Sequence, residues 1–243
     1  MQHLLRRKII IAFLLVWMIP SFARAQLREG INLPEHDEKK YHFGINLGMN
    51  KSHFNFTHHP YFLQQDSVMV VESINSTGLN LAWLVNLNLS EHFDLRTYPL
   101  NLTFTEKAFE YRLSFPDKPG GEDSITIKKV QSISLTFPLQ LKFSSDRIDN
   151  FKVFMLAGAK VEYDLAANAG ARKAENLIKL NRLDYGIQAG LGFHFYFPVF
   201  VLTPELRVDW GLSNLHSRDP SLKFSNVLDK IYSRMITFSL TVE

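Results

Sequence analysis

The stretch from Leu183 to Leu212, LDYGIQAGLGFHFYFPVFVLTPELRVDWGL, constrains the fold more than any other. Between Leu183 and Phe197 every odd position is Leu, Tyr, Ile, Ala or Phe. The even positions are Asp184, Gly186, Gln188, Gly190, Gly192, His194 and Tyr196. After Pro198-Val199 the apolar residues move to even numbers (Phe200, Leu202, Leu206, Val208, Trp210, Leu212), between Thr203, Glu205, Arg207, Asp209 and Gly211. A strict period of two is the mark of a β-strand with two different faces. Both runs exceed the usual strand of about five or six residues. They suit a membrane-crossing strand, which needs roughly nine to eleven residues at a tilt of about 45°.

The same alternation recurs along the chain. It covers Tyr41 to Met49, Leu79 to Leu89, Phe93 to Phe104, Ile133 to Phe143, Phe151 to Leu165 and Met235 to Glu243. In the third strand the phase slips near Pro99, as a β-bulge would make it, and the strand has room to run on through Tyr111. Phe154 and Leu156 interrupt the polar face of the fifth. With the hairpin, these segments make about eight strands. The connections alternate between long (51–77, 116–124, 166–181, 214–232) and short (90–92, 145–150, 198–199); the Ala- and Lys-rich 166–181 could hold a helical turn. Short periplasmic turns and longer outer loops are the pattern of outer-membrane barrels, and an even strand count leaves both termini in the periplasm. The expected fold class is all-β: a single eight-stranded antiparallel up-and-down transmembrane β-barrel over 41–243, behind a short periplasmic tail, 26–40.

Composition does not contradict this. Net charge is +3 and mean hydropathy −0.08, values typical of a soluble protein, but a barrel whose strands are half polar gives the same average. The chain has no cysteine, which excludes disulfides, thiolate metal sites and lipid attachment through an N-terminal Cys. No basic helix or aromatic-basic patch suggests nucleic acid. Residues 1–25 read as a signal peptide: Arg6, Arg7 and Lys8, an apolar run from Ile9 to Ile19, then Ala23-Arg24-Ala25 with cleavage between Ala25 and Gln26. That run is shorter than the roughly 20 residues a transmembrane helix needs.

Alternation alone does not say which face points outward, because a lipocalin-like soluble barrel shows the same period with its apolar side inside. Three features favour an apolar exterior. The polar face carries opposite charges at mid-strand: Arg96, Lys142, Lys160 and Arg207 against Glu162, Asp164, Asp184, Glu205 and Asp209. It is also rich in glycine (Gly44, Gly48, Gly158, Gly186, Gly190, Gly192, Gly211), which fits a crowded lumen and would only weaken a solvated face. The apolar face turns aromatic beside the short turns, at Tyr41, Phe93, Phe143, Phe151, Phe197 and Phe200. A second set, Trp83, Tyr163, Tyr185 and Trp210, lies toward the other end. Two aromatic girdles match two membrane interfaces.

No catalytic, metal or cofactor site is expected. His53, His58 and His59 share one loop without an acidic or Cys partner at ligand spacing. His194 beside glycines reads as a hydrogen-bonded structural histidine. Ser132, Ser134, Ser239 and Thr241 are lumen hydroxyls without a nucleophile elbow. Asp184, Glu205, Arg207 and Asp209 could line a proton or ion path, but eight strands leave room only for side chains. With Arg96, Lys142, Lys160 and Glu162 they are expected to form a lumen charge network. The last strand suits recognition by the barrel insertion machinery, although it ends in Glu243 rather than an aromatic residue.

Several pieces resemble one family: FDLR (Phe93 to Arg96), FPLQLKF (Phe137 to Phe143), AGAKVEYDLA (Ala157 to Ala166), FHFYFP (Phe193 to Pro198), TPELR (Thr203 to Arg207), LDKIYSRMITFSL (Leu228 to Leu240) and the opening YHFGINLGMN. They are similar to PorT, also called SprT, the outer-membrane barrel of the Bacteroidota type IX secretion system. The resemblance covers essentially the whole mature chain and contains no catalytic motif. It implies a non-enzymatic accessory role in secreting proteins with a C-terminal signal, and in gliding motility in gliding relatives. The implied partners are other translocon components in the outer membrane and outer-membrane lipids. Two other classes compete: a small outer-membrane enzyme acting on lipid A or phospholipid, and an adhesin or binding barrel working through loops 51–77 and 214–232.

Overall fold

The computed structural model describes residues 30–64, 67–116, 123–167, 178–219 and 222–243. The expected signal peptide, its cleavage site at Ala25 and Gln26, and most of the 166–181 segment lie outside the described residues. The unit Asn32–Glu243 contains the barrel.

The strands are β1 (Tyr41–His58), β2 (Val68–Ile74), β3 (Ser76–Asn88), β4 (Phe93–Leu113), β5 (Ile125–Ser144), β6 (Phe151–Asp164), β7 (Leu183–Tyr196), β8 (Val201–Gly211) and β9 (Leu228–Val242). A 3-10 turn (Pro60–Leu63) follows β1, and a four-residue helix, α1 (Lys223–Asn226), precedes β9. Every pairing is antiparallel, and the ring runs β1-β3-β4-β5-β6-β7-β8-β9 and back to β1. β2 adds no ninth position. It pairs with the upper part of β4, from Ala108 to Leu113, directly beyond the part paired with β3. β2 and β3 therefore fill one slot in the wall, interrupted at Asn75, and the closed ring has eight positions. At the level of β3 and the apolar outward residues the ring is closed without a free edge, so the wall there satisfies its own backbone hydrogen bonds, as a hydrocarbon surround demands.

The apolar face points outward. Phe43, Ile45, Leu47 and Met49 of β1 are exposed, as are Ile187 and Leu191 of β7 and Phe238 and Leu240 of β9. Their neighbours Asn46, Asn50, Gln188, Thr237 and Ser239 are buried in the lumen. The slip expected at Pro99 is present: Pro99 and Leu100 both face outward, and the β4–β5 register shifts between Thr97 and Leu102. At the short-turn end the wall carries aromatic pairs, Phe93 with Phe143 at 5.1 Å and Phe197 with Phe200 at 4.9 Å. Trp83 does not belong to the opposite girdle. It is the central outward residue of β3, opposite Ile45 and Leu100.

Phe154 and Leu156, which interrupt the polar face of β6, are buried in the lumen. Their cross-strand partners on β7 are Gly192 and Gly190. A Cβ on Gly192 would lie 2.4 Å from the Phe154 ring, so the glycine supplies the space that the phenylalanine occupies.

The strands reach much further than the alternating segments suggest. The stretch 51–77, expected to be a loop, is largely strand, and β9 starts at Leu228, seven residues before Met235. The cause is a reversal of the two faces along single strands. On β1 the outward residues Tyr41 to Met49 give way to Lys51, His53 and Asn55, while the inward residues change from Asn46 and Asn50 to Phe54. On β4 the outward Leu100, Leu102 and Phe104 give way to Glu106, Glu110 and Arg112, and the inward Asn101 and Thr103 to Phe109, Tyr111 and Leu113. On β9 the outward Ile236 and Phe238 follow Lys230 and Arg234, and the inward Thr237 and Ser239 follow Ile231. A wall bathed in hydrocarbon must be apolar outside, and one bathed in water apolar inside. The reversal therefore marks a membrane boundary. From Tyr41 to Met49 the outward run rises about 27 Å along the strand at about 3.4 Å per residue, or about 19–22 Å of height at a tilt of about 35–45°, somewhat less than the apolar band of about 25 Å.

The face assignment predicts unequal costs for two neighbouring substitutions. Leu191→Arg puts a charge in the lipid-facing wall and should cost about 2–4 kcal/mol. Gln188→Arg points beside the Asp209 carboxylate, which now accepts from Gln188, and should cost less. Equilibrium unfolding in urea, followed by heat-modifiable gel migration, compares them; equal costs would contradict the assignment.

Candidate functional site

The lumen is filled with paired polar side chains. At mid-height Arg96 (β4) donates through Nη1 to Glu205 Oε2 (β8) at 2.5 Å, and Arg207 Nη1 donates to Glu205 Oε1 at 3.0 Å. Arg207 Nε is 3.9 Å from Asp209 Oδ1. Gln188 (β7) donates to the same Asp209 oxygen and accepts from Gln140 Nε2 (β5) at 2.7 Å. The Tyr98 ring lies between the two guanidiniums, 5.5 Å from Arg96 and 5.6 Å from Arg207. Strands β4, β5, β7 and β8 are thus cross-linked through the centre. One carboxylate holding two guanidiniums offsets charges that would be very costly to bury alone.

The other residues read as a charge network lie in separate groups. Lys142 pairs with Asp94 at 2.7 Å toward the short-turn end, with its Nζ 3.3 Å from His194 Nε2. Lys160 pairs with Glu162 at 2.7 Å toward the opposite end, and Asp184 accepts there from the Ser213 hydroxyl. Asp94, Lys107, Gln140, Gln188 and Tyr98 were not singled out from the sequence, although each falls on the polar phase of its strand. Lys107 donates to Ser233 Oγ at 2.8 Å and sits over the Phe54 ring at 4.9 Å.

Above these groups the lumen is closed by an apolar cap of Phe54, Phe109, Tyr111, Phe224, Leu228, Ile231 and their neighbours. Phe54 and Phe109 stack with centroids 5.2 Å apart. His216 ties α1 to the wall, with Nδ1 3.0 Å from the Asp229 carbonyl and Nε2 2.8 Å from Ser225 Oγ. Burial lowers its pKa below the ordinary imidazole value.

The short-turn end is covered by the segment 32–40. Asn32 donates from its backbone to Asn150 Oδ1 at 2.7 Å and from its side chain to the Tyr196 carbonyl at 2.9 Å. Asp37 accepts from the Tyr196 hydroxyl at 2.7 Å and pairs with Arg147 at 3.2 Å; the Arg147 guanidinium stacks 3.6 Å over the Tyr196 ring. Burial raises the Asp37 pKa, but Tyr196, Lys152 and Arg147 outweigh it and hold the carboxyl below its ordinary value. Asn88 of β3 donates to the Asp37 and Lys39 carbonyls and reaches His42 Nε2 at 3.1 Å. The segment is therefore latched across the mouth over a small polar cavity lined in part by His36, His42, Asp94, Lys142, His194 and Glu243.

The alternative catalytic and ligand groupings do not assemble. His194 Nδ1 faces Thr203 Oγ1 at 2.7 Å, while Ser132 and Ser134 face each other at 3.3 Å and Thr241 accepts from Asn46 at 2.7 Å. His59 Nδ1 accepts from the Tyr61 amide at 3.1 Å, and His58 packs on Phe56 and Phe62. Among the described residues His53, His58 and His59 do not form one ligand group.

The central cross-link makes a testable claim. Glu205→Leu strands two buried guanidiniums and should cost about 3–5 kcal/mol. Adding Arg96→Met and Arg207→Met should recover a large part of that loss. Urea unfolding of the single and triple variants measures both; a mild single variant, or no recovery, would contradict the pairing.

No curated protein matches the chain. Solved structures that it resembles include Neisserial surface protein A, at 8% identity and a TM-score of 0.41, covering 84% of this chain and 99% of that one. The Yersinia pestis attachment invasion locus protein Ail, solved in complex with the heparin analogue sucrose octasulfate, gives 12% and 0.38, covering 84% and 99%. OprG from Pseudomonas aeruginosa gives 12% and 0.41, covering 82% and 92%. The outer membrane protein beta-barrel domain family matches residues 24–217, which is most of the chain. The closed eight-position ring with its apolar exterior agrees with that match, and the chain belongs to the outer membrane protein beta-barrel domain family.

Proposed function

We propose that this outer-membrane barrel is a non-enzymatic accessory of the type IX secretion machinery, needed for export of proteins carrying a C-terminal signal and, in gliding organisms, for motility. The observation that carries an accessory role is the plugged lumen. Arg96, Gln140, Gln188, Glu205, Arg207 and Asp209 are all buried across its centre, and the apolar cap closes one end. No folded cargo passes through such an interior, so the work falls to the two ends and the lipid-facing wall. The choice of secretion system rests on the resemblance of the strand and turn pieces to PorT.

In this reading the short turns and the segment 32–40 face the periplasm and the long strand extensions face outward. Translocon components contact one of these ends or the wall, outer-membrane lipids surround the band, and the barrel insertion machinery recognises β9. A loop-mediated binding barrel is the second reading, favoured by exposed Leu63, Met69 and Phe115 at the extended end. A lipid-modifying enzyme has less support, because Ser132, Ser134, Ser239 and His194 are all buried in the lumen and do not face lipid.

Deletion of the gene separates these readings. Loss should leave many C-terminal-signal proteins in the periplasm while unrelated outer-membrane barrels assemble normally. Normal secretion accompanied by a change only in adhesion or in lipid A composition would overturn the transport reading.

A further inference from the structure

The latched segment brings together three potential ligands that lie far apart in the sequence: His36 on the segment, His42 on β1 and Glu243 just after β9. One ligand atom from each lies within 4.8 Å of the others. The two imidazole rings are 4.3 Å apart. His36 Nδ1 is buried without a hydrogen-bond partner. Among the described residues no cationic side chain lies within ion-pair distance of the Glu243 side-chain carboxylate. The nearby lysines are engaged elsewhere: Lys142 with Asp94 at 2.7 Å and Lys152 with Asp37 at 3.7 Å.

Two imidazoles and a carboxylate form the donor set of an open zinc site, with a fourth position for water or another ligand. We propose that His36, His42 and Glu243 bind a divalent transition-metal ion, zinc best of all, at the mouth of the barrel. Ligand atoms around tetrahedral zinc stand about 3.3 Å apart, so the group needs to contract by about an ångström and a half at most. Rotation of the His36 and Glu243 side chains would supply that movement. Asn88 positions the group from outside, since it holds the Asp37 and Lys39 carbonyls, between His36 and His42, and touches the His42 ring. The ion would join the N-terminal segment, the first strand and the end of the last strand, and so reinforce the β1–β9 seam where the ring closes.

The probe is Co²⁺ alone, titrated into the detergent-solubilised protein carrying no polyhistidine tag, with Zn²⁺ as competitor. One Co²⁺ per chain should bind, with the intense visible absorption of a low-coordinate site, and Zn²⁺ should displace it. His36→Ala should weaken binding by about 100-fold or more, at least as much as outer-shell changes cost, and Glu243→Gln should weaken it too. The double variant His58→Ala/His59→Ala should bind as the parent does. Heat-modifiable migration reports whether each variant is folded, and His36 lies outside the wall, so its variant should be. Absence of stoichiometric binding, binding that survives His36→Ala, or binding lost with His58 and His59 would each overturn the site.

Discussion

The medium surrounding the wall changes from hydrocarbon to water partway along the long strands, and the rest of the structure follows from that boundary. Strand pairing satisfies backbone groups in either medium, so β1, β4, β5 and β9 pass through without a break. Side chains cannot be indifferent in the same way. β1 exchanges Leu47 and Met49 for Lys51 and His53 outside and Asn50 for Phe54 inside, and β4 and β9 make the same exchange at comparable positions. The molecule is a membrane barrel from which β1, β2, β4, β5 and β9 extend beyond the band around an apolar core.

Each half must solve its interior differently. Within the apolar band the lumen is polar and narrow, and most of its charges are paired: one Glu205 serves two arginines, and Lys142 and Lys160 each have a carboxylate. Glycines opposite Phe154 and Leu156 let large side chains fill what remains. Beyond the band the interior is an ordinary hydrophobic core around Phe54, Phe109 and Phe224. A barrel stabilised in both halves by filling its lumen has little capacity left for conduction, which directs attention to its ends.

Much of the band was legible in the sequence because alternation there is strict and one-signed. The hairpin from Leu183 to Leu212, the bulge at Pro99 and the outward apolar face could be read from residues alone. The stretch from Lys51 to Thr77 was misread as a loop. Its apolar residues Phe54 and Phe56 stand on even numbers, out of phase with Tyr41 to Met49, and look unpatterned unless a reversal of faces is sought. The start of β9 was missed for the same reason, at Leu228 and Ile231. The mouth was not legible at all: His36, His42 and Glu243 meet only because ring closure brings the first and last strands together, and no local spacing records that. Nor could spacing pair Glu205 with both Arg96 and Arg207, although the phase of each strand puts all three on its polar face.

The boundary itself can be measured on β1. The chain has no cysteine, so single cysteines placed from position 41 to 56 can each carry a nitroxide without background labelling. In lipid vesicles, labels at the odd positions through 49 should be accessible to oxygen and shielded from a water-soluble nickel chelate. Labels at 51, 53 and 55 should show the opposite preference, and the even positions should be shielded from both. Chelate access at every odd position from 41 to 55 would mean that water surrounds the whole wall, and would contradict the account.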